Sequence, residues 1–310
     1  MTVFEDRQAQ SIQTHLVRHA KAIGADPNVV LVRYATERLL YRLSRSEHAS
    51  RFVLKGALLL LAWLGETFRA TRDADLLGFG DLSDDVLVAI FRDLCSIEVD
   101  PDGLRFDASS VRVAEIRPQD EYGGRRVTLL SWLGPARLRL QVDVGIGDAV
   151  EPPAQWLEYP ALLNQPRPRL RAYRPETVIS EKVHAMVILG ARNSRMRDFF
   201  DVHVLSQCQS FEGEPLARAL RATFDRRRTR IPEDAPMALT TSFAELPDKR
   251  AQWRAFLRKS AVSHSPGELE DVVQELAEFL LPPLAAAARQ GTFKSSWPPG
   301  GPWRSSGHLT

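Results

Sequence analysis

The chain has 310 residues, of which 44% are hydrophobic and 26% charged, and its formal net charge is +2. This composition excludes a disordered or fibrous chain and is typical of a globular protein long enough for two modest domains. The longest apolar run, residues 57 to 64, is far shorter than the roughly 20 residues that cross a bilayer, and the N-terminus has no apolar signal core, so we predict a cytoplasmic protein without a membrane partner.

The first predicted elements follow the order helix, strand, tight turn, helix. Residues 28 to 43 carry apolar side chains at helical spacing, and residues 52 to 54 form a short β-prone run. Lys55 and Gly56 interrupt that run before the apolar helix of residues 57 to 64. A turn that opens a helix offers backbone N–H groups to phosphate oxygens, and glycine lets a ligand approach the backbone closely. We therefore predict that Lys55 and Gly56 bind a nucleotide.

The next segment carries an Asp-x-Asp pair. Residues 68 to 77 are expected to be extended, which places Arg69, Thr71, Asp73 and Asp75 on one face. Two adjacent carboxylates repel one another unless a cation neutralises them, so Asp73 and Asp75 are predicted to bind Mg²⁺. Arg69 and Thr71 are predicted to contact the nucleotide. A short acidic pair is common on protein surfaces, and its setting after a glycine turn and apolar helix makes this pair more specific.

A third acid is expected from a hairpin. Residues 125 to 133 and 137 to 146 flank Gly134 and Pro135, and the second run alternates apolar and polar residues with Asp143 on the polar side. If this strand lies beside the Asp-x-Asp strand, Asp143 completes a two-ion Mg²⁺ site. One ion would hold the triphosphate of an NTP, and the other would activate an attacking hydroxyl.

Composition divides the chain into three parts. A proline-rich link precedes a second half with helical patterns, which places a boundary near residue 170. We predict an α+β domain over residues 1–169, which includes an N-terminal helix, and a helical domain over 170–288 that closes a nucleotide cleft. Residues 289–310 are rich in Gly, Pro and Ser and are predicted to be a flexible tail.

The helical half contributes a second group of charged residues. Lys182 interrupts an apolar helix of residues 176 to 189, and an ammonium group there must reach solvent or an anion. Asp198 and Asp201 lie on one face of the following helix, with Arg197 beside them. We predict that Lys182, Arg197 and Asp201 bind the nucleotide and that Lys182 and Asp198 take part in catalysis. A structural salt-bridge network at this place is the alternative.

Three blocks together resemble a known family: Phe-Val-Leu-Lys-Gly (52 to 56), Arg-Ala-Thr-Arg-Asp-Ala-Asp-Leu-Leu (69 to 77), and Glu-Lys (181, 182) before Asn-Ser-Arg-Met-Arg-Asp-Phe-Phe-Asp (193 to 201). They resemble the AbiEii/AbiGii nucleotidyltransferase toxins of bacterial abortive-infection and toxin–antitoxin systems. The resemblance implies a DNA polymerase β-like fold with a mixed or antiparallel sheet. It also implies transfer of a nucleotide to the 3′ end of an RNA such as tRNA, which blocks translation and growth, and an operon-encoded winged-helix antitoxin.

Other functions stay open on the sequence alone. The acceptor could be a protein hydroxyl, and a non-catalytic module that binds NTP, RNA or a partner is favoured slightly by Ala57 and by the basic cluster at 218 to 230. A glycosyltransferase also uses Asp-x-Asp with a metal ion. It would need parallel βαβ units ahead of that motif, and the pattern there shows one helix and one short strand.

Overall fold

The structure is a computed structural model that describes residues 3–65, 73–116, 123–260 and 266–305, with side chains from residue 7 onward. The described residues form two compact units. The first lies within Met1–Trp63, Ala70–Gly147 and Gln155–Ala172, and the second takes Asp148–Ala154 and Tyr173–Thr310 together with Leu64 and Gly65. The chain passes from the first unit to the second between residues 172 and 173, close to the boundary predicted near residue 170. Residues 148 to 154 also belong to the second unit. Helical closure over a cleft stays a prediction.

The first unit is a mixed sheet with helices. In chain order its elements are α1 (Val3–Ala22), α2 (Pro27–Arg45), β1 (Phe52–Lys55), α3 (Ala57–Leu64), β2 (Ala74–Gly78), α4 (Asp84–Ser96), β3 (Leu104–Ile116), β4 (Gly124–Leu133), β5 (Ala136–Ile146), β6 (Gln155–Glu158) and β7 (Arg169–Ala172). Among the described residues the sheet has seven strands in the order β3-β4-β5-β2-β1-β7-β6. β2 pairs with β5 and β1 with β7 in parallel, and the other neighbours are antiparallel.

The alternation of β5 decides which side of the sheet becomes the core. Leu138, Leu140, Val142 and Val144 are buried, while the residues between them are exposed or half-buried. Helices α1, α2 and α4 pack against β3, β4 and β5. The helices therefore cover the apolar side of these strands, and their polar side faces outward.

A buried charge network ties α2 to the chain segments that lead into β3 and β7. Arg38 and Arg42 both pair with Asp102, with nitrogen to oxygen distances of 3.3 and 2.6 Å, and Arg38 also donates to the Pro166 carbonyl. Glu37 accepts a hydrogen bond from the Leu162 amide. Charges this deep require partners, so the cluster fixes the packing of α2.

The second unit is mostly helical, as predicted, with a small sheet. Its elements are α5 (Pro175–Leu189), α6 (Met196–Cys208), β8 (Phe211–Glu212), α7 (Gly213–Arg226), α8 (Thr241–Ala244), α9 (Pro247–Ser260), α10 (Leu269–Ala288), β9 (Ser295–Trp297) and β10 (Arg304–Ser305). The predicted α+β class, with a mixed sheet and a helical second half, is confirmed.

The prediction of a flexible tail after residue 288 is wrong for the described part of that segment. β9 pairs with β8 and β10, and Trp297 is 3% exposed. The Trp297 indole donates to the Ser206 carbonyl, and the Trp303 indole donates to the Phe279 carbonyl. Burial of large aromatic rings outweighs the local Gly and Pro content. Residues 306–310 lie outside the described chain.

No helix in the described ranges is both long enough and apolar enough to cross a membrane. The predicted cytoplasmic location stays a prediction.

Candidate active site

A row of charged residues crosses four strands of the first unit. Lys55 on β1 lies opposite Asp75 on β2, Asp75 lies beside Asp143 on β5, and Asp143 lies opposite Arg126 on β4. Residues directly opposite each other in a sheet project from the same face, and neighbouring strands are about 4.8 Å apart. We call Lys55, Asp75, Asp143 and Arg126 the charged row. It confirms the predicted adjacency of the Asp143 strand and the Asp-x-Asp strand.

The turn before α3 is shaped around Asp75. Gly56 has φ +73°, and a Cβ atom built on it would lie 2.1 Å from the Asp75 Oδ2 atom. An L side chain fits neither that conformation nor that space. Gly56 therefore allows the backbone turn and the Asp75 carboxylate to lie in direct contact.

Arg126 binds Asp143 in a two-pronged arrangement. Its Nε atom donates to Oδ1 at 2.9 Å and its Nη2 atom donates to Oδ2 at 2.8 Å. The pKa of Arg126 is raised, first by this hydrogen bonding and then by the charges of Asp143, Asp73 and Asp75, while partial burial acts in the opposite direction. The three predicted carboxylates thus share one electrostatic environment around Arg126. Asp73 is exposed and immediately precedes β2.

The donor chemistry of these acids suits a hard cation such as Mg²⁺, which prefers oxygen ligands and binds through one or two carboxylates. Among the described residues, no three His, Cys, Asp or Glu side chains are arranged to hold a metal ion. Both Asp143 oxygens bond Arg126 in this arrangement, so metal binding by Asp143 requires that pair to open. Asp75 on β2, beside Asp143, and Asp73 just before β2 offer further carboxylate oxygens. The two-ion Mg²⁺ site stays a prediction.

Lys182, Asp198 and Asp201 form a second cluster, in the second unit. The Lys182 Nζ atom donates to Asp198 Oδ1 at 2.7 Å and to Asp201 Oδ2 at 2.8 Å. The side chain of Asp201 is fully buried, and that of Lys182 is 14% exposed. Burial alone would lower the pKa of Lys182, but the charges of Asp201 and Asp198 and their hydrogen bonds outweigh it, so the pKa is raised. We call these three residues the lysine cluster.

The lysine cluster links α5 to α6, as the structural alternative expected. Two carboxylates on one ammonium leave the cluster with a formal excess of negative charge. This excess is compatible with either a structural role or a cation-assisted role, so its predicted part in nucleotide binding and catalysis stays a prediction. Arg197 is exposed on α6, beside the buried Asp198. A nucleotide role for Arg197 is likewise a prediction.

An arginine from the basic cluster at 218 to 230 contacts two residues that lie close to Lys182 in sequence, Glu181 and His184. Arg227 approaches Asp148 at 3.2 Å and Glu181 at 4.0 Å, and it donates to the Nδ1 atom of His184 at 3.2 Å. Because Nδ1 accepts this bond, the Nε2 atom carries the proton and donates to Thr229. Burial, followed by the charge of Arg227, lowers the pKa of His184 to about 4, so the ring is neutral at physiological pH.

The predicted residues therefore occupy two places. Lys55, Gly56, Asp75 and Asp143 lie together in the first unit with Asp73 beside them, and Lys182, Asp198 and Asp201 lie together in the second. Arg69 and Thr71 lie outside the described residues. Arg126 was missed because the sequence shows two adjacent arginines in β4, and the strand register alone decides which of them faces Asp143.

Fold and charged row together define an α+β protein that presents a turn and neighbouring carboxylates on one face of a mixed sheet. The chain belongs to the AbiEii family: residues 38–278, well over half of the chain, match the family described as "Nucleotidyl transferase AbiEii toxin, Type IV TA system". The resemblance drawn from the sequence is confirmed. Membership supports nucleotidyltransferase activity, and it implies an NTP substrate and an antitoxin partner.

Two solved structures from Helicobacter pylori are also similar. One is JHP933, with 15% sequence identity, a TM-score of 0.49, and coverage of 86% of this chain and 92% of that chain. The other is provisionally described as a nucleotidyltransferase, with the same identity and TM-score and coverage of 86% and 95%. No curated protein matches the chain at a significant level.

Proposed function

We propose that this protein is a Mg²⁺-dependent toxin that transfers a nucleotide from an NTP to a hydroxyl of RNA, with the 3′ end of tRNA as the acceptor, and so blocks translation. The observation that carries the proposal is the charged row, in which Asp75 lies beside Asp143 and against the turn at Gly56. Family membership supports the reaction type, which corresponds to class 2.7.7, and the substrate class. The antitoxin is proposed to be a winged-helix protein from the same operon.

In the first unit, acidic residues are proposed to hold the metal ion, and the turn and basic residues are proposed to bind the phosphates. Asp73 and Asp75 supply oxygen ligands, and Asp143 joins them when Arg126 releases it. When bound, Mg²⁺ neutralises phosphate charge and lowers the pKa of the acceptor hydroxyl. The turn at Lys55 and Gly56 contributes an ammonium group and backbone N–H groups that favour the phosphates. Arg126, once released, is a second cation within reach of the developing charge.

The residues of the second unit have narrower proposed roles. Lys182 is proposed to bind the triphosphate. Asp198 and Asp201 orient Lys182, because its Nζ atom lies 2.7 Å from Asp198 Oδ1 and 2.8 Å from Asp201 Oδ2. Arg197, Arg69 and Thr71 are proposed as further nucleotide contacts.

The proposal is tested by incubating purified protein with total bacterial RNA, Mg²⁺ and each labelled NTP in turn. We expect wild type to label an RNA band, and Asp73→Ala and Asp75→Asn to lose at least about 100-fold in rate because preorganised charge stabilisation is lost. The matched control is Asp85→Asn, at an exposed acid in the first turn of α4, which keeps wild-type activity. Full activity in Asp75→Asn would reject the site.

Other acceptors give distinct results in the same assay. Label in a protein band in place of RNA would identify a protein hydroxyl as the acceptor. NTP binding without any label in folded protein would indicate a non-catalytic module. A glycosyltransferase is disfavoured because antiparallel pairs dominate the described sheet and no alternating parallel βαβ series precedes Asp75 among the described residues.

A further inference from the structure

The outward face of the first unit contains a hollow of about 460 Å³ at some distance from the charged row. Three arginines surround it, one from β3 and two from β5. We call it the arginine groove, and its lining includes Ser110, Arg112, Thr128, Leu130, Arg137 and Arg139.

An irregularity in β3 creates the groove. The pairing of β3 with β4 shifts register between Asp107 and Arg112, which is the signature of a β-bulge. Ser110 repairs the ladder, because its Oγ atom accepts a hydrogen bond from the Leu130 amide at 2.8 Å. The bulge opens the surface and places Arg112 opposite Thr128. The β-bulge therefore explains why Ser110 and Arg112 line the groove.

The groove has an unbalanced positive charge. Arg112, Arg137 and Arg139 are all exposed, and within the described part of the chain no carboxylate pairs with any of them. The hydrogen bonds of Arg112 go to the carbonyls of Ser109 and Val111, which carry no net charge. Exposed arginines without acidic partners favour an anionic ligand, and their planar forks match phosphate oxygens.

The groove lies on the same sheet face as the charged row. Asp143, Gln141, Arg139 and Arg137 alternate along one side of β5, as their exposure shows. Four residues of strand separate Asp143 from Arg139, which is about 14 Å. A polyanion in the groove would therefore present one end to the acids without bringing its other phosphates against them.

An aromatic platform extends the groove. Trp132 on β4 lies opposite Arg137, and the Arg105 guanidinium lies 4.6 Å above the Trp132 ring. Aromatic and guanidinium planes beside a basic track are the features on which unpaired bases stack. An acidic peptide would use the arginines but not this platform.

We propose that the arginine groove binds the phosphate backbone of the RNA acceptor and guides its end toward Asp75 and Asp143. This inference rests on the proposed function, since it assigns a surface to the acceptor of that reaction. Charge complementarity and continuity with the charged row favour RNA over an acidic protein segment.

The test measures RNA binding without catalysis. The triple variant Arg112→Gln, Arg137→Gln, Arg139→Gln is compared with wild type for binding of fluorescently labelled, unfractionated bacterial tRNA, in EDTA and without NTP, over a range of salt concentrations. Loss of three phosphate contacts is expected to weaken binding about 10-fold or more and to reduce the slope of log K against log salt by about 2 to 3.

The matched control is the triple variant Arg18→Gln, Arg45→Gln, Arg92→Gln. These arginines are exposed on α1, α2 and α4, on the helical side of the same unit, so the change in net charge is identical. The control is expected to bind tRNA within about 2-fold of wild type with an unchanged slope. Circular dichroism establishes that both triples fold.

Each other outcome overturns the inference. Equal losses in both triples would show a general charge effect, and unchanged tRNA binding in the groove variant would exclude the groove. Binding of poly-glutamate is measured in the same way. A groove variant that loses poly-glutamate binding but retains tRNA binding would assign the groove to an acidic protein.

The transfer reaction is scored separately. Groove-dependent tRNA binding in a wild-type protein that labels no RNA would reject the proposed reaction and leave the RNA site in place. If wild-type protein labels RNA normally and the groove variant binds tRNA as tightly as wild type, the groove is rejected and the proposed reaction is retained.

Discussion

Gly56 sets the geometry of the charged row at the level of a single atom. Its φ of +73° carries a strain of about 1 kcal/mol or more for any L residue, and an added Cβ would lie 2.1 Å from Asp75 Oδ2. We predict that Gly56→Ala displaces the Asp75 carboxylate. Nucleotide transfer should fall at least about 100-fold, because a positioning error near 1 Å has that effect.

Gly24 provides the control for backbone strain. It has φ +67° in the same unit, but a Cβ there meets nothing within 4 Å. Gly24→Ala should therefore cost about 1 to 2 kcal/mol in unfolding free energy and leave transfer intact. Equal transfer rates in the two variants, with folding checked by urea denaturation, would mean that the contact with Asp75 has no functional weight.

At the scale of elements, the lysine cluster joins α5 to α6 through buried charge. Lys182→Met leaves Asp198 and the fully buried Asp201 without their cation. We predict a loss of about 3 to 5 kcal/mol in unfolding free energy, because an uncompensated buried carboxylate is costly. Adding Asp201→Asn should restore more than about 1 kcal/mol of that loss, which urea denaturation measures.

Lys249→Met is the matched control in the same unit. Lys249 is also buried, but its partner Asp248 is 59% exposed and remains hydrated when the lysine is lost. Its cost should be below about 1 kcal/mol. The double variant Lys182→Met, Asp201→Asn also separates the two roles of the cluster. Recovery of stability without transfer supports a nucleotide role, and recovery of both would leave a structural role alone.

Elements differ in how far their sequence predicts them. The alternation of β5 and the apolar run of α3 predicted both elements and the face that Asp143 occupies. β3 went unpredicted because its exposed and half-buried positions alternate weakly and a bulge interrupts the period. The arginine groove depends on that bulge, so a reading of local patterns could not find it.

The C-terminal segment shows the limit of composition. Its Gly and Pro content indicates a linker, whereas Trp297 and Trp303 pack with Phe279 and donate hydrogen bonds to distant carbonyls. Two tryptophans in a short segment were the available signal, because rings of that size rarely stay fully exposed.

At the scale of the whole molecule, the sequence located the two groups of charged residues but not their counter-ions. The Asp-x-Asp pair and the Lys182 block are local motifs, so the residues themselves could be read directly. The pairing of Arg126 with Asp143, and of Lys182 with both acids, depends on strand register and helix packing. Arg126 therefore pairs with Asp143, one of the acids that the sequence assigned to Mg²⁺, and Lys182 pairs with both acids of the second group.

Ligand binding at the proposed site is expected to stabilise the folded protein. A ligand that binds only the folded state stabilises it by about 2.7 kcal/mol at 100 times its dissociation constant. We therefore predict that the NTP used in transfer, together with Mg²⁺, raises the melting temperature by about 5 to 10 °C. Differential scanning calorimetry measures this shift, and EDTA should abolish it.

Variants separate a specific site from general phosphate binding. Asp75→Asn should lose the ligand-induced shift, because it removes a carboxylate that is proposed to hold the metal ion. Asp85→Asn should keep that shift. A shift that persists in EDTA and in Asp75→Asn would place the nucleotide on basic groups alone, since Lys55, Arg126 and Lys182 need no metal to attract a triphosphate, and the acids would then have no part in binding it.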